Sequence, residues 1–196
     1  MASLSLTDHK LNGLVLVGGK SSRMGSNKAF LEYNGTPQIN NITTLLHKFC
    51  TDVYVSAKNK TDYQGYQVIE DKFPFESPLN GIISAFQHTP NSAWLVVACD
   101  MPFINTQNIK HLVDHRDPKK LATCYKNKSG KAEPLFCIWE AHSHHELKSF
   151  HLTGNFSPRS FLMTNEVRMI SSKNESSLLN VNTVEEYNKV TKDNQG

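Results

Sequence analysis

Two places in this chain gather residue types suited to polyphosphate chemistry. In the first, an apolar run, Leu14-Val15-Leu16-Val17, leads into Gly18 and Gly19 and then into three cations, Lys20, Arg23 and Lys28. Paired glycines remove the side chains that would hold a polyphosphate away from backbone N–H groups. The cations can neutralise phosphate charge. In the second, the apolar run Trp94-Leu95-Val96-Val97-Ala98-Cys99 ends in one carboxylate, Asp100, followed by Met101 and Pro102. In open α/β sheets ligands collect at the carboxyl ends of strands. A carboxylate there suits Mg²⁺, which takes a few protein oxygens and otherwise keeps water and phosphate. The plainer reading of Asp-x-Pro is a turn or a helix cap.

Neither of the two better-known phosphate loops is present. A Walker A loop would need glycine where Leu14 stands, or lysine where Gly19 stands. Its strand would also precede both glycines, whereas here the strand lies between Gly13 and Gly18. The dinucleotide pattern Gly-x-Gly-x-x-Gly does not occur either.

The stretches Leu16-Val17-Gly18-Gly19 and Ser21-Ser22-Arg23-Met24-Gly25-Ser26-Asn27-Lys28 resemble the opening of the molybdenum cofactor guanylyltransferases, which belong to the glycosyltransferase-A-like nucleotidyltransferases. Asn27 stands where that family usually has Asp. The resemblance implies that Leu16, Val17, Gly18 and Gly19 bind the nucleotide, that Arg23 and Lys28 hold the triphosphate, and that Asp100 is the catalytic Mg²⁺ ligand. It also implies a nucleotide-binding role for Asp71, whose carboxylate can accept from both N–H donors on guanine's pairing edge. Ser56 occupies the place of a nucleotide-binding asparagine; its hydroxyl is shorter and lacks the amide's paired geometry. Ser77 replaces a glycine in Gly-Pro-Leu-x-Gly. Arg159, Asn180 and Asn182 match the family's acceptor half, and Asn182 is equally a candidate helix cap. The implied reaction transfers GMP from GTP to molybdenum-bound molybdopterin and releases pyrophosphate. Other cofactor-biosynthesis proteins or acceptor molybdoenzymes are the protein partners it suggests. Transfer of CMP, activation of a sugar phosphate, and a non-catalytic nucleotide-binding adaptor stand as alternatives.

The elements that must position these residues are an alternation of apolar strands and amphipathic helices. They predict an α/β, three-layer Rossmann-like domain, with a mainly parallel sheet and helices on both faces. The resemblance narrows this to the nucleotide-diphospho-sugar transferase type. Strands are expected at 13–17, 52–57, 66–69, 94–98, 120–125 and 133–138. Helices are expected from Pro37 with Thr36 as cap, after Pro78, near 106–115 and from about Thr183 to Lys192. One domain spans 1–196, with 1–10 and 193–196 frayed. The chain has 196 residues and a scattered net charge of +3. It has no basic patch with interleaved aromatics, so no nucleic-acid partner is expected. No apolar stretch approaches the roughly 18 residues of a membrane span, and no signal peptide is evident. The four cysteines are far apart and read as buried thiols of a cytoplasmic protein. His142, His144, His145 and His151, and the pair His111 and His115, lack a further ligand at fixed spacing and read as solvent-facing.

Overall fold

The computed structural model describes residues 10–18, 27–33 and 35–193. The chain runs through β1 (Leu11–Leu16), a short 3-10 turn at Lys28–Phe30, β2 (Glu32–Tyr33), β3 (Thr36–Pro37), α1 (Gln38–Leu46), β4 (Val53–Ala57) and β5 (Val68–Glu70). It continues through α2 (Pro78–His88), β6 (Ala93–Ala98), α3 (Thr106–Asp114), β7 (Ala122–Lys126), β8 (Ala132–Trp139), α4 (Ser143–Leu152), α5 (Pro158–Thr164), β9 (Arg168–Ser171) and α6 (Val184–Asp193).

Seven strands form one sheet in the order β5-β4-β1-β6-β8-β7-β9. The pairings among β5, β4, β1 and β6 are parallel, as is β7 with β9, while β8 runs antiparallel to both neighbours. The reversal of β8 follows from a tight turn: Asn127 bridges to Lys131 across Gly130, whose φ of +74° suits glycine. It brings the start of β8 beside the end of β6. That placement matters for the site.

Strand β1 shows why the sheet is covered on both faces. Leu14 and Leu16 pack into one core with Leu79, Ile82 and Phe86 of α2 and Phe161 and Leu162 of α5. Val15 and Val17 pack into the other, with Ile39, Ile42 and Leu46 of α1 and Ile109 and Leu112 of α3. Successive residues of a strand point to opposite faces, so an uninterrupted apolar run requires a layer on each side.

Two expectations are corrected. Helix α1 begins at Gln38 without a side-chain cap, because Thr36 and Pro37 are drawn into a short antiparallel pair with Tyr33 and Glu32. The histidines are not uniformly solvent-facing. His144 stacks on Phe86, His151 packs among Phe73, Phe75 and Phe156, and the His111 ring bonds the Tyr125 hydroxyl at 3.0 Å. His142 and His145 are exposed. All four cysteines are buried and free. No described helix is long and apolar enough to cross a membrane.

Candidate active site

Strands β1, β4, β5 and β6 all run the same way, so their carboxyl ends share one edge. Backbone hydrogen bonds continue the ladder past the strands themselves. The Val17 N–H donates to the Ser56 carbonyl, the Asp71 N–H to Ala57 at 3.0 Å, and the Cys99 N–H to Leu16 at 3.1 Å. The first residues of each loop are therefore held as firmly as the sheet. The side chains of Leu16 and Val17 lie in the core, and Gly18 is exposed at the edge. Gly19, Lys20 and Arg23 lie outside the described residues.

Asp100 and Lys28 meet the same short segment, Asn180-Val181-Asn182. Val181 is buried, and its N–H donates to the Asp100 carbonyl at 2.7 Å. The two amides flanking this anchor each meet one of the pair. Asn180 Nδ2 donates to Asp100 Oδ1 at 3.2 Å, and Lys28 Nζ donates to Asn182 Oδ1 at 3.0 Å. Asn180 and Asn182, expected with the acceptor half, thus sit on the carboxylate and the lysine assigned to the metal and phosphates. The α6 cap is Thr183, whose hydroxyl accepts the Glu186 N–H at 3.2 Å. Burial pushes the Asp100 carboxyl above the usual carboxylate range, and the Lys28 ammonium and Asn180 amide pull it back.

The 3-10 turn that presents Lys28 is itself fixed. Asn27 caps it by accepting the Ala29 N–H at 3.1 Å, and its Nδ2 donates to the Tyr63 hydroxyl at 2.9 Å. The asparagine found where aspartate is usual thus has a donor's task here.

Asp71 ends the β5 side of the edge. The buried Ser56 hydroxyl donates to Asp71 Oδ1 at 2.8 Å, so Ser56 meets this carboxylate directly. Burial pushes the Asp71 carboxyl up, while the Ser56 hydroxyl and the Lys58 ammonium lower it. Gly81 of α2 makes this arrangement possible. A Cβ there would overlap the Ser56 hydroxyl and come within 2.8 Å of Leu16 Cδ2. Ser77 N-caps α2 by accepting the Leu79 N–H at 3.1 Å, a task glycine could not perform.

Arg159 is engaged at the start of β8. Its Nε donates to the Ala132 carbonyl at 2.9 Å and its guanidinium to Glu133 Oε2 at 3.2 Å. Glu133 is buried, and burial together with the nearby Asp100 charge pushes its carboxyl up against the pull of Leu135 N–H and Arg159. In the sequence Glu133 stood at the head of the strand expected at 133–138, with no role of its own. Its signal was a charge opening an otherwise apolar run.

A sequence profile of the MobA-like NTP transferase domain matches residues 13–169. The chain belongs to the MobA-like NTP transferase family. As a member it is a nucleotidyltransferase, and the resemblance drawn from the glycine loop and the stretch that follows it is borne out. A probable molybdenum cofactor guanylyltransferase of Clostridium perfringens is 31% identical over 196 residues, covering 93% of this chain and 97% of that protein. A molybdenum cofactor biosynthesis bifunctional protein of Synechocystis is 31% identical over 92% of this chain, which spans about half (53%) of that protein's length. The structure of molybdopterin-guanine dinucleotide biosynthesis protein A from Archaeoglobus fulgidus superposes with a TM-score of 0.77 at 21% identity, covering 94% of this chain and 98% of that one. The family fold is therefore the expected one.

Proposed function

We propose that this chain is a molybdenum cofactor guanylyltransferase, transferring GMP from GTP to the terminal phosphate of molybdenum-bound molybdopterin. The observation that carries the reading is the convergence of Asp100 and Lys28 on one segment, beside the Ser56–Asp71 pair, along the carboxyl edge of the sheet. In the reaction an acceptor phosphate oxygen bonds to the α-phosphorus as the bond to the bridging oxygen of the β-phosphate breaks, and pyrophosphate leaves with that electron pair. The acceptor is already anionic near neutral pH, so no protein nucleophile is needed. Catalysis rests on alignment and on neutralising charge.

Lys28 and Arg23 take the triphosphate, with Gly18 and Gly19 leaving its backbone donors uncovered. Asp71, held by Ser56, takes the nucleoside. Mg²⁺ fits the donors at the edge: no group of three or more His, Cys, Asp or Glu gathers among the described residues, and a single carboxylate suits a cation that draws its other ligands from phosphate and water. Asp100 would hold it, with Asn180 orienting the carboxylate. When bound, the ion offsets charge on the phosphates.

Pyrophosphate release is the test, measured with GTP, CTP, ATP and UTP, with and without molybdenum-bound molybdopterin and with Mg²⁺ present or chelated. Release with GTP that requires both acceptor and metal is expected. Preference for CTP, or transfer to a sugar phosphate instead, would overturn the reading.

A further inference from the structure

The loop 72–77 and the turn 153–157 carry a group of rings that the reaction as described leaves unused. Phe75 and Phe156 stack with centroids 4.5 Å apart and planes 27° from parallel. Phe73 lies 5.6 Å from Phe75 at 28°, and His151 packs against all three. Phe156 is 39% exposed, while Phe73 and Phe75 are half-buried.

Polar groups inside the protein hold these rings in place. Buried Asn80 of α2 donates to the carbonyls of Phe73 at 2.7 Å and Phe75 at 3.1 Å, and accepts the Phe73 N–H at 3.2 Å. Ser84, one turn further along, donates to Asn80 and accepts the Lys72 N–H. The Ser77 hydroxyl, besides capping α2, donates to the Phe156 carbonyl and ties the two loops together. The three bonds from this buried amide satisfy the loop's covered backbone groups and leave it little freedom to move. Such bracing suits a surface that must be flat and rigid before its ligand arrives, because ordering it then costs nothing on binding.

The neighbours of the rings say which ligand. Asp71 precedes Phe73 by two positions, and Arg159 follows Phe156 by three. Arg159 is fastened to Glu133, which feels the charge of Asp100. Phe156 leads into α5, whose Arg159 holds the start of β8, while Phe75 and Ser77 join Phe156 to the loop that follows β5. The rings thus link the loop after Asp71 to the segment carrying Arg159, the residue matched to the acceptor half. The reaction proposed above brings two planar heterocycles to this edge, guanine and the pterin of the acceptor. Resting on that reading, we propose that Phe75 and Phe156 form the stacking platform for the acceptor's pterin ring.

Steady-state kinetics of the full chain, with GTP and molybdenum-bound molybdopterin each varied, test this. Phe156→Leu keeps an apolar side chain and removes the π-face, and Phe156→Tyr keeps the face. With Phe156→Leu the acceptor KM rises about tenfold while kcat and the GTP KM hold, and Phe156→Tyr stays near wild type. A rise in the GTP KM instead would assign the rings to the purine and overturn the proposal. An unchanged acceptor KM with a lowered Tm would make them loop packing only, with the same result. If Phe156→Leu does not fold, Phe75→Leu is measured in the same way. A wild-type chain that releases no pyrophosphate with molybdopterin overturns the guanylyl-transfer reading and the platform with it. Intact turnover that ignores both leucine variants overturns the platform alone.

Discussion

Asp100 and Asp71 are carboxylates that the fold draws away from water while giving each one neutral side-chain donor, from Asn180 and Ser56 respectively. Each can therefore lose its charge without losing its place. Asp100→Asn keeps an oxygen for Asn180, and its turnover should fall about 10²–10⁴-fold with the fold intact, as read by pyrophosphate release and circular dichroism. Near-normal rates would remove Asp100 from the chemistry. For Asp71 the pH dependence has a definite sign. Burial raises its carboxyl, so the folded state holds the proton more tightly than the unfolded state does. Its effect on stability is thus most favourable at low pH and worsens as pH rises from the ordinary carboxylate range through the raised folded value. Asp71→Asn should accordingly raise Tm at pH 7, and the gain should shrink as pH falls toward 4, as read by calorimetry. The same variant should narrow the GTP-over-ATP preference by about ten- to a hundredfold, since a lost paired contact costs on the order of 1–3 kcal/mol. Asp100 was legible because a lone carboxylate closes an apolar run. The Ser56–Asp71 contact was not, since it joins two strand ends 15 positions apart and depends on sheet register, which no local pattern encodes.

At the scale of elements, α2 does the closest fitting. Its second turn sits so near the ends of β1 and β4 that Gly81→Ala drives a methyl into Ser56 and Leu16. We expect a loss of about 1–3 kcal/mol in urea unfolding, together with a raised GTP KM as Ser56 is pushed off Asp71. An unchanged KM would show that Ser56 does not position that carboxylate. Elements buried on both faces, such as β1 and β6, were legible as apolar runs, and α2 as a proline start with core spacing. Strand β9 escaped notice because three of its four residues, Arg168, Met169 and Ser171, are exposed and only Ile170 is buried. An edge strand of that kind carries no hydrophobic run to read. Helix α4 escaped because its core contacts are few: Ser143 and Leu147 are its buried residues, and histidine rings complete the packing.

The whole molecule is closed by contacts that no sequence window contains. Arg116, just beyond α3, makes two parallel hydrogen bonds at 2.7 and 2.8 Å to Glu140, which is fully buried at the end of β8. Arg116→Ala would strand that carboxylate and should cost about 3–5 kcal/mol in chemical denaturation. A loss under 1 kcal/mol would mean that Glu140 finds water or takes up a proton. The thiols report on the two cores together. Burial pushes Cys50 and Cys99 up to about 12, and Cys124 and Cys137 lie fully covered inside the sheet. Ellman's reagent should therefore label none of the four in the native protein and all of them in guanidinium; rapid native labelling would show that a core opens.

The segment bearing Asn180 and Asn182 also sets a schedule. Lys28 meets its partner across 154 positions and Asp100 across 80. On a ribosome adding about 5–20 residues per second, the first of these gaps takes roughly 8–30 s to translate. A nascent chain can pair its early strands in that interval, but the lysine and the carboxylate wait for amides not yet made. Synthesis itself thus works as a safety catch, and a chain stalled short of Asn180 displays a nucleotide edge that is not yet armed.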